Sequence, residues 1–525
     1  MKRRNFLQYA SAMAATRIIP VGLGVGALAE RAHAASPNYS QLNVSTPAVM
    51  PQVINIFMYG GASELAGNLS NIADINLNSV NDYASNNAFR SSILSASTDN
   101  LAANRSRFND GQITANNFWK EAGGTHMEDM LASGDMAVYR TLLKQKSPTR
   151  SHRESIFMSH KGTLDIENSP GIGSRLALML SMHENTFTGA TMADGTSMGA
   201  LDDLVLPFVS FEGETQTYSL DPANPLPLSL RGLTMDNQFN NPYTRLIAGK
   251  NPNDLNATDL ATEEMINTLA KARDIQLLSV RSKFGGAWDG FDKRDDLEGR
   301  MQNMQDLLNG NSDNDNSSSA DLLGVTYPNT SFARQVEAAV TLAIHNPQTL
   351  YMAVGTPGLG GWDDHNNGVD RYPNRMNDLM EAIKAGMAHI RASNGVTTIG
   401  GGTRTNTDNI VINVFGDFGR LVNLNNSNGW DHANNQNLYT FGGAAVRSTK
   451  EAAALGTVVG TTIREGRSKT NNQYTMPDIT GGSPTWEPMS VASSIYGYFG
   501  ASNSEVMTRD EGSNPEGDRP FEDLL

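Results

Sequence analysis

Apolar runs that end in glycine-rich polar turns recur along this chain, with helical patterns standing between them. Val53-Ile54-Asn55-Ile56-Phe57-Met58-Tyr59 is continuous enough to read as a buried strand, and it ends at Gly60-Gly61-Ala62-Ser63-Glu64. Met136 to Leu143 repeats the pattern and closes on Lys146-Ser147-Pro148-Thr149-Arg150-Ser151-His152. Ser331 marks the N-cap of a helix running to about His345, and Thr349 to Gly355 is a strand that ends in "GTPGLGGWDDHNNG". A helix with Met376, Leu379, Met380, Ile383, Met387 and Ile390 on one face follows, then the strand Asn409 to Phe415. This strand, helix, strand order predicts an α/β fold: a mainly parallel sheet flanked by helices. Ligands of open α/β sheets bind at the carboxyl ends of the strands, and all four polar turns lie at such ends.

Other segments read as accessory. Lys2-Arg3-Arg4-Asn5-Phe6-Leu7, the apolar run Ile18 to Ala29 and Ala32-His33-Ala34 together read as a twin-arginine signal peptide over 1–34. That run is too short for a membrane span, so no transmembrane segment is expected after cleavage, and the location expected is periplasmic or secreted. Gly22-x-Gly24-x-Gly26 lies inside this leader with no strand before it, so it is discarded as a nucleotide loop. A polar segment over 35–50 leads into a single domain over 51–500. Irregular insertions are expected at about 186–253 and 305–325, with a long helix from Ala261 to Phe284 and an acidic, solvated tail over 501–525.

Composition narrows the chemistry. A net charge of −15 with no basic stripe argues against nucleic acid as a partner. The absence of cysteine removes disulfides, thiolate nucleophiles, iron–sulfur clusters and cysteine–zinc sites, so a metal would be held by carboxylate, imidazole, hydroxyl or carbonyl groups. Asp363-Asp364-His365 and Asp431-His432 are the sharpest features, because a carboxylate supplies charge and a neutral imidazole a directed nitrogen. Asp417 follows a buried strand in "FGDFGRLVNLNNSNGWDHANNQN", a stretch that otherwise reads as a polar loop. The cofactor expected is a divalent metal (zinc, calcium, magnesium or manganese), with no nucleotide, haem or iron–sulfur group.

Several motifs add a resemblance. "GGWDDH", "FGDFGR" followed by "NSNGWDHANNQNLYTFGG", "SPTRSH" and "FMYGGAS" resemble elements of the twin-arginine-exported proteins grouped as domain-of-unknown-function family 1501. The likeness spans about residues 52–445 and is most specific in its last third, where three motifs keep their order. That family is similar in fold to the alkaline phosphatase and sulfatase superfamily, which implies an alkaline-phosphatase-like domain. It also implies a metal-dependent hydrolase of phosphate or sulfate esters. By position the resemblance makes Asp363, His365, Asp417, Asp431 and His432 metal ligands, Ser151 and His152 the nucleophile element, and Arg420 or Arg150 a clamp on ester oxygens.

The departures are specific. Ser63 stands where the family has its first Asp, so Glu64 would have to replace that ligand; Asp417 replaces a Glu and Ala433 a Gly. Lys146 occupies the position of the sulfatase cysteine, which excludes a formylglycine sulfatase. The alternatives are a non-catalytic periplasmic or cell-surface binding protein with a degenerate metal site, and an enzyme that works through paired carboxylates on polysaccharide.

Overall fold

The computed structural model describes residues 39–64, 113–239, 300–310, 316–424, 429–463 and 476–525, a few single positions excepted, and scattered positions between 256 and 272. The expected leader and most of the helix expected from Ala261 lie outside the described residues. The chain divides into two compact units, Ala34–Asn240 with Gly299–Leu525, and Met1–His33 with Asn241–Glu298. The first of these carries everything described below. Among the described residues no helix is long and apolar enough to cross a membrane.

In chain order the principal elements are β1 (Gln52–Met58), α1 (Gly124–Ala132), β2 (Met136–Leu143), α2 (His152–Lys161) and α3 (Ile172–Met182). Next come β3 (Phe208–Ser210), β4 (Leu233–Thr234), α4 (Ser331–His345), β5 (Tyr351–Val354) and α5 (Gly368–Ala392). The last third contributes β6 (Ile410–Gly416), β7 (Gly419–Leu424), β8 (Trp430–Ala433), β9 (Asn435–Gly442), β10 (Val458–Val459) and α6 (Ser490–Tyr498).

Eight strands form one sheet in the order β10-β2-β9-β6-β1-β5-β3-β4. Every pairing is parallel except those of β9, which runs against both β2 and β6. The expected α/β sheet, mainly parallel and flanked by helices, is what the chain adopts. β1, β2 and β6 are buried along their whole length, which is why they read as unbroken apolar runs rather than alternating ones. On one face Val53, Phe57, Val411 and Phe415 share a core with α3 and α6. Side chains alternate along a strand, so Ile54, Ile56 and Met58 are buried on the other. α4 and α5 pack against each other, and the Met376 to Ile390 stripe of α5 is buried core. The cap of α4 falls one residue earlier than expected, on Thr330, whose hydroxyl accepts from Ala333 N–H at 3.1 Å.

Three expectations are corrected. The segment expected as irregular over 186–253 supplies β3 and β4, strands of three and two residues, too short to show a period. The polar stretch after β6 is the hairpin β7–β8 leading into β9, whose opening amide side chains are buried and each bonded through one of its two polar atoms. Asn435 donates to Arg140 O at 3.1 Å, and Gln436 Oε1 accepts from Gly416 N–H at 3.0 Å. Finally, residues 501–525 are packed rather than solvated: Val506, Met507 and Phe521 join the core. The acids there have donors, because Asp510 accepts from Leu164 N–H at 2.8 Å and Asp518 pairs with Lys146 at 2.8 Å.

Candidate metal centre

The carboxyl ends of β1, β2, β5 and β6 lie on one rim because these strands run the same way. Each contributes a turn. After β1, Gly60 has φ +117° and a Cβ placed there would lie 2.5 Å from Asp363 N, so only glycine lets the turns after β1 and β5 touch. Trp362 N–H donates to Tyr59 O at 2.8 Å and closes that contact. The turn after β5 is tied in turn to the hairpin, since Trp430 N–H donates to Asp364 O at 2.8 Å. After β2 the chain passes to α2, whose first residue is His152 and whose N-cap position is Ser151.

These turns bring His152, Asp363 and His432 together, with ligand atoms all within 4.8 Å of one another. Asp363 Oδ1 lies 3.7 Å from His152 Nε2, 3.7 Å from His432 Nε2 and 3.3 Å from His365 Nε2. The two Nε2 atoms of His365 and His432 are 2.8 Å apart. Each imidazole is fixed from its far side by an oxygen that can only accept. His152 Nδ1 is 2.6 Å from Asp417 Oδ2, His365 Nδ1 is 3.1 Å from Asp431 Oδ1, and His432 Nδ1 is 2.9 Å from Arg150 O. Those partners assign the proton to Nδ1 in all three rings and turn three Nε2 lone pairs toward one carboxylate.

The electrostatics agree with this assignment. Burial, with Arg420 and the neighbouring imidazoles adding to it, pushes His432 down to about 4, so its ring stays neutral. Burial pulls Asp363 up, but the hydrogen bond and charge of Arg420, with His365 and His152, outweigh it and leave the carboxyl below its ordinary value. The hydrogen bond and charge of Asp417, set against burial, hold His152 above the usual imidazole value.

The other expected site residues take different places. Asp417 is fully buried and both its oxygens face inward contacts: Oδ2 toward His152, and Oδ1 accepting from Gly60 N–H at 3.0 Å. It sits behind His152 instead of in the cluster. Asp431 likewise backs His365. Arg420 is buried and donates to Gly60 O, Gly61 O, Trp430 O and Asp363, so it positions Asp363 and the β1 turn and leaves no guanidinium face for an ester. Glu64 is buried outside the cluster, accepting from Asn437 N–H at 2.9 Å. Ser63 is buried too, and its hydroxyl has no partner among the described residues. Ser151 is exposed and its hydroxyl caps nothing in α2, so that oxygen is left for other work. Lys146 turns away to hold the C-terminal segment through Asn514, Gly517 O and Asp518.

One residue of this rim escaped the sequence reading, and another, Asp364, was named there without a role of its own. Lys144, 3% exposed, donates to Ser155 and lies 5.3 Å above the Phe418 ring. Burial brings its amine down to about 8. A lysine directly after the apolar run Leu142-Leu143 was the available signal, since a charge at a strand's carboxyl end lies on this rim. Asp364 is buried between Arg375 at 3.0 Å and Arg371 at 3.3 Å; burial raises it to about 6 despite both.

Fold and site together define an α/β protein with a possible metal-binding triad, His152, Asp363 and His432, on the carboxyl rim of its sheet. No protein-family model matches the chain, and no curated protein matches it either.

Proposed function

We propose that His152, Asp363 and His432, with His365 beside them, hold a divalent metal ion, and that the protein is an exported metal-dependent hydrolase of phosphate or sulfate esters. One observation carries the reading: three imidazoles anchored through Nδ1 turn Nε2 toward the same carboxylate, the arrangement in which the outer partner of a ligating histidine fixes its tautomer. The spacing fits as well. Ligand atoms around one tetrahedral ion at ~2.0–2.1 Å stand about 3.3 Å apart. The distances found from Asp363 to the three imidazoles are 3.3, 3.7 and 3.7 Å. A donor set richer in imidazole than in carboxylate favours zinc over calcium, magnesium or manganese.

When bound, such an ion supplies Lewis-acid polarisation and neutralises the charge of an anionic ester. The chain's own residues do the rest. Arg420 holds Asp363 in place, Asp417 holds the His152 ring, and the exposed hydroxyl of Ser151, next to His152, is the nucleophile. The motif likeness to family 1501 supports the same chemistry, and Lys2-Arg3-Arg4-Asn5-Phe6-Leu7 supports a periplasmic or secreted setting.

A second reading, a non-catalytic binding protein on the same fold, draws on Ser63 and Glu64. Where the family has a carboxylate, this chain has a buried serine, and Glu64 is engaged by Asn437 outside the cluster. Elemental analysis of the purified protein beside an Asp363→Ala/His432→Ala double variant tests the metal. Turnover of 4-nitrophenyl phosphate and 4-nitrophenyl sulfate by the wild type and Ser151→Ala tests the chemistry. Stoichiometric metal lost in the double variant, with Ser151-dependent turnover, is expected. Metal without turnover of either ester favours the binding protein, and a metal-free wild type overturns the metal reading altogether.

A further inference from the structure

Beside the cluster, between the end of β2, the turn to α2 and the hairpin β7–β8, lies a cavity of about 220 Å³. It adjoins the centre through the chain itself. Arg150 lines it and accepts from His432 Nδ1–H at 2.9 Å through its carbonyl, and Leu421 and Ala433, also in the lining, follow Arg420 and His432. The described lining holds two cations, Arg150 and Lys144, and no carboxylate, in a chain whose net charge is −15. No described residue pairs with the Arg150 guanidinium, whereas Lys144 is committed to Ser155. Gln145, Asn434 and Asn435 line the same space; Asn435 is 1% exposed, and the buried amide oxygens of Asn434 and Asn435 have no partner among the described residues. Each amide can both donate and accept. Leu421 and its neighbours supply apolar wall.

A ligand for this lining carries one anionic group, several hydroxyls and an apolar ring face, at the size of one sugar ring. We propose that the cavity binds a carboxylated sugar ring, its carboxylate on Arg150 and its hydroxyls on the amides, so that the ester hydrolysed at the adjoining centre is a phosphate or sulfate ester of an acidic sugar. The ester part of this assignment rests on the function proposed above; the cavity part does not.

The test is isothermal titration of the full-length protein, as exported, with D-glucuronate and with D-glucose. It is repeated on Arg150→Gln and on Leu421→Trp, which fills the cavity without touching the cluster, and metal content is measured on every sample. Glucuronate bound about tenfold or more tightly than glucose, and about tenfold more weakly by both variants at unchanged metal content, is the expected result. Equal binding of the two sugars, or glucuronate binding undiminished in Leu421→Trp, overturns the cavity assignment. A metal-free wild type that still selects glucuronate through Arg150 and Leu421 overturns the hydrolase and upholds the sugar-acid site.

Discussion

His365 Nε2 and His432 Nε2 stand 2.8 Å apart although each ring is held at Nδ1 by an oxygen that can only accept. With both rings neutral, two lone pairs face each other and a third, on His152, points to the same carboxylate. Such a group is unfavourable alone and is relieved by a cation, whether protons or a metal. His432, driven down to about 4 by burial, resists the protons at neutral pH. A metal ion held as proposed above would relieve it, and that makes the residues behind the rings as informative as the rings themselves.

Asp417→Asn tests that second row. The amide oxygen can still accept from Gly60 N–H, which Asp417 Oδ1 meets at 3.0 Å. Its amino group would face His152 Nδ1 and demand a lone pair there, moving the ring proton to Nε2, on the metal side. A chelator competition should show metal affinity reduced by about 10–100-fold, the usual effect of losing such a partner. The melting temperature of the metal-free protein should change little. Undiminished affinity would mean that His152 is not a ligand.

Lys146→Met addresses how the turn carrying Ser151 and His152 is held. Lys146 Nζ donates to Asn514 Oδ1 at 2.6 Å, Gly517 O at 2.9 Å and Asp518 at 2.8 Å, and Asp518 is 2% exposed. Removing the amine leaves Asp518 Oδ1 buried without its donor while Oδ2 keeps Asn514, so a destabilisation of about 1–3 kcal/mol is expected by urea titration. Asp518→Asn keeps an acceptor for the amine and should cost less. Equal losses in the two variants would show that the packing of the lysine stem, not the ion pair, anchors the turn.

The parts of this fold legible in the sequence were those whose burial is complete on both sides. β2 lies at Met136–Leu143, as the apolar run predicted, and α4 ends at His345 as expected while starting at Ser331, the residue expected to cap it. β9 was not legible, because it opens with Asn435-Gln436-Asn437, polar side chains whose burial is compensated in part by partners the fold brings to them, such as Arg140 O and Gly416 N–H. The C-terminal segment misled for a related reason: its acids look solvated until Lys146 and the Leu164 N–H are brought to them by the fold. At the site, Asp363, His365 and His432 stood out as Asp–His pairs in strand-end turns. Which carboxylates back the rings and which touch the centre depends on distances of one side chain's length, and no spacing in sequence encodes that.

Glu487→Gln isolates a pH effect on the same turn. Glu487 Oε1 accepts from Gln145 N–H at 3.0 Å and Lys146 N–H at 2.9 Å. Burial, helped by the charge of Asp518, raises its carboxyl from 4.5 to about 7, against the pull of those two N–H groups and the Lys146 charge. A folded value above the unfolded one means that the folded state binds the extra proton, so this contribution is complete below pH 4.5 and is lost as pH rises through about 7. Glutamine accepts the same bonds without titrating. Urea midpoints should therefore show the variant gaining on the wild type from pH 4.5 to 7. Parallel curves across that window would place the titration elsewhere.

Glu64→Gln decides whether the carboxylate beside Ser63 belongs to the metal centre. Its side chain is 1% exposed, Oε2 accepts from Asn437 N–H at 2.9 Å, and Oε1 has no partner among the described residues. Burial, with the charge of Asp417 adding to it and the Asn437 hydrogen bond opposing, drives the carboxyl well above its usual range and so favours its neutral form. A neutral acid is a poor ligand for a divalent ion. Glutamine has the same shape, carries no charge and can accept the same N–H, so thermal stability should hold or rise slightly and metal content should not change. If the metal is lost with Glu64→Gln while circular dichroism keeps the fold intact, the side chain must swing from Asn437 into the centre when the ion binds. The centre would then be built from two carboxylates instead of one. If the metal stays, the three imidazoles with Asp363 are enough to hold the ion.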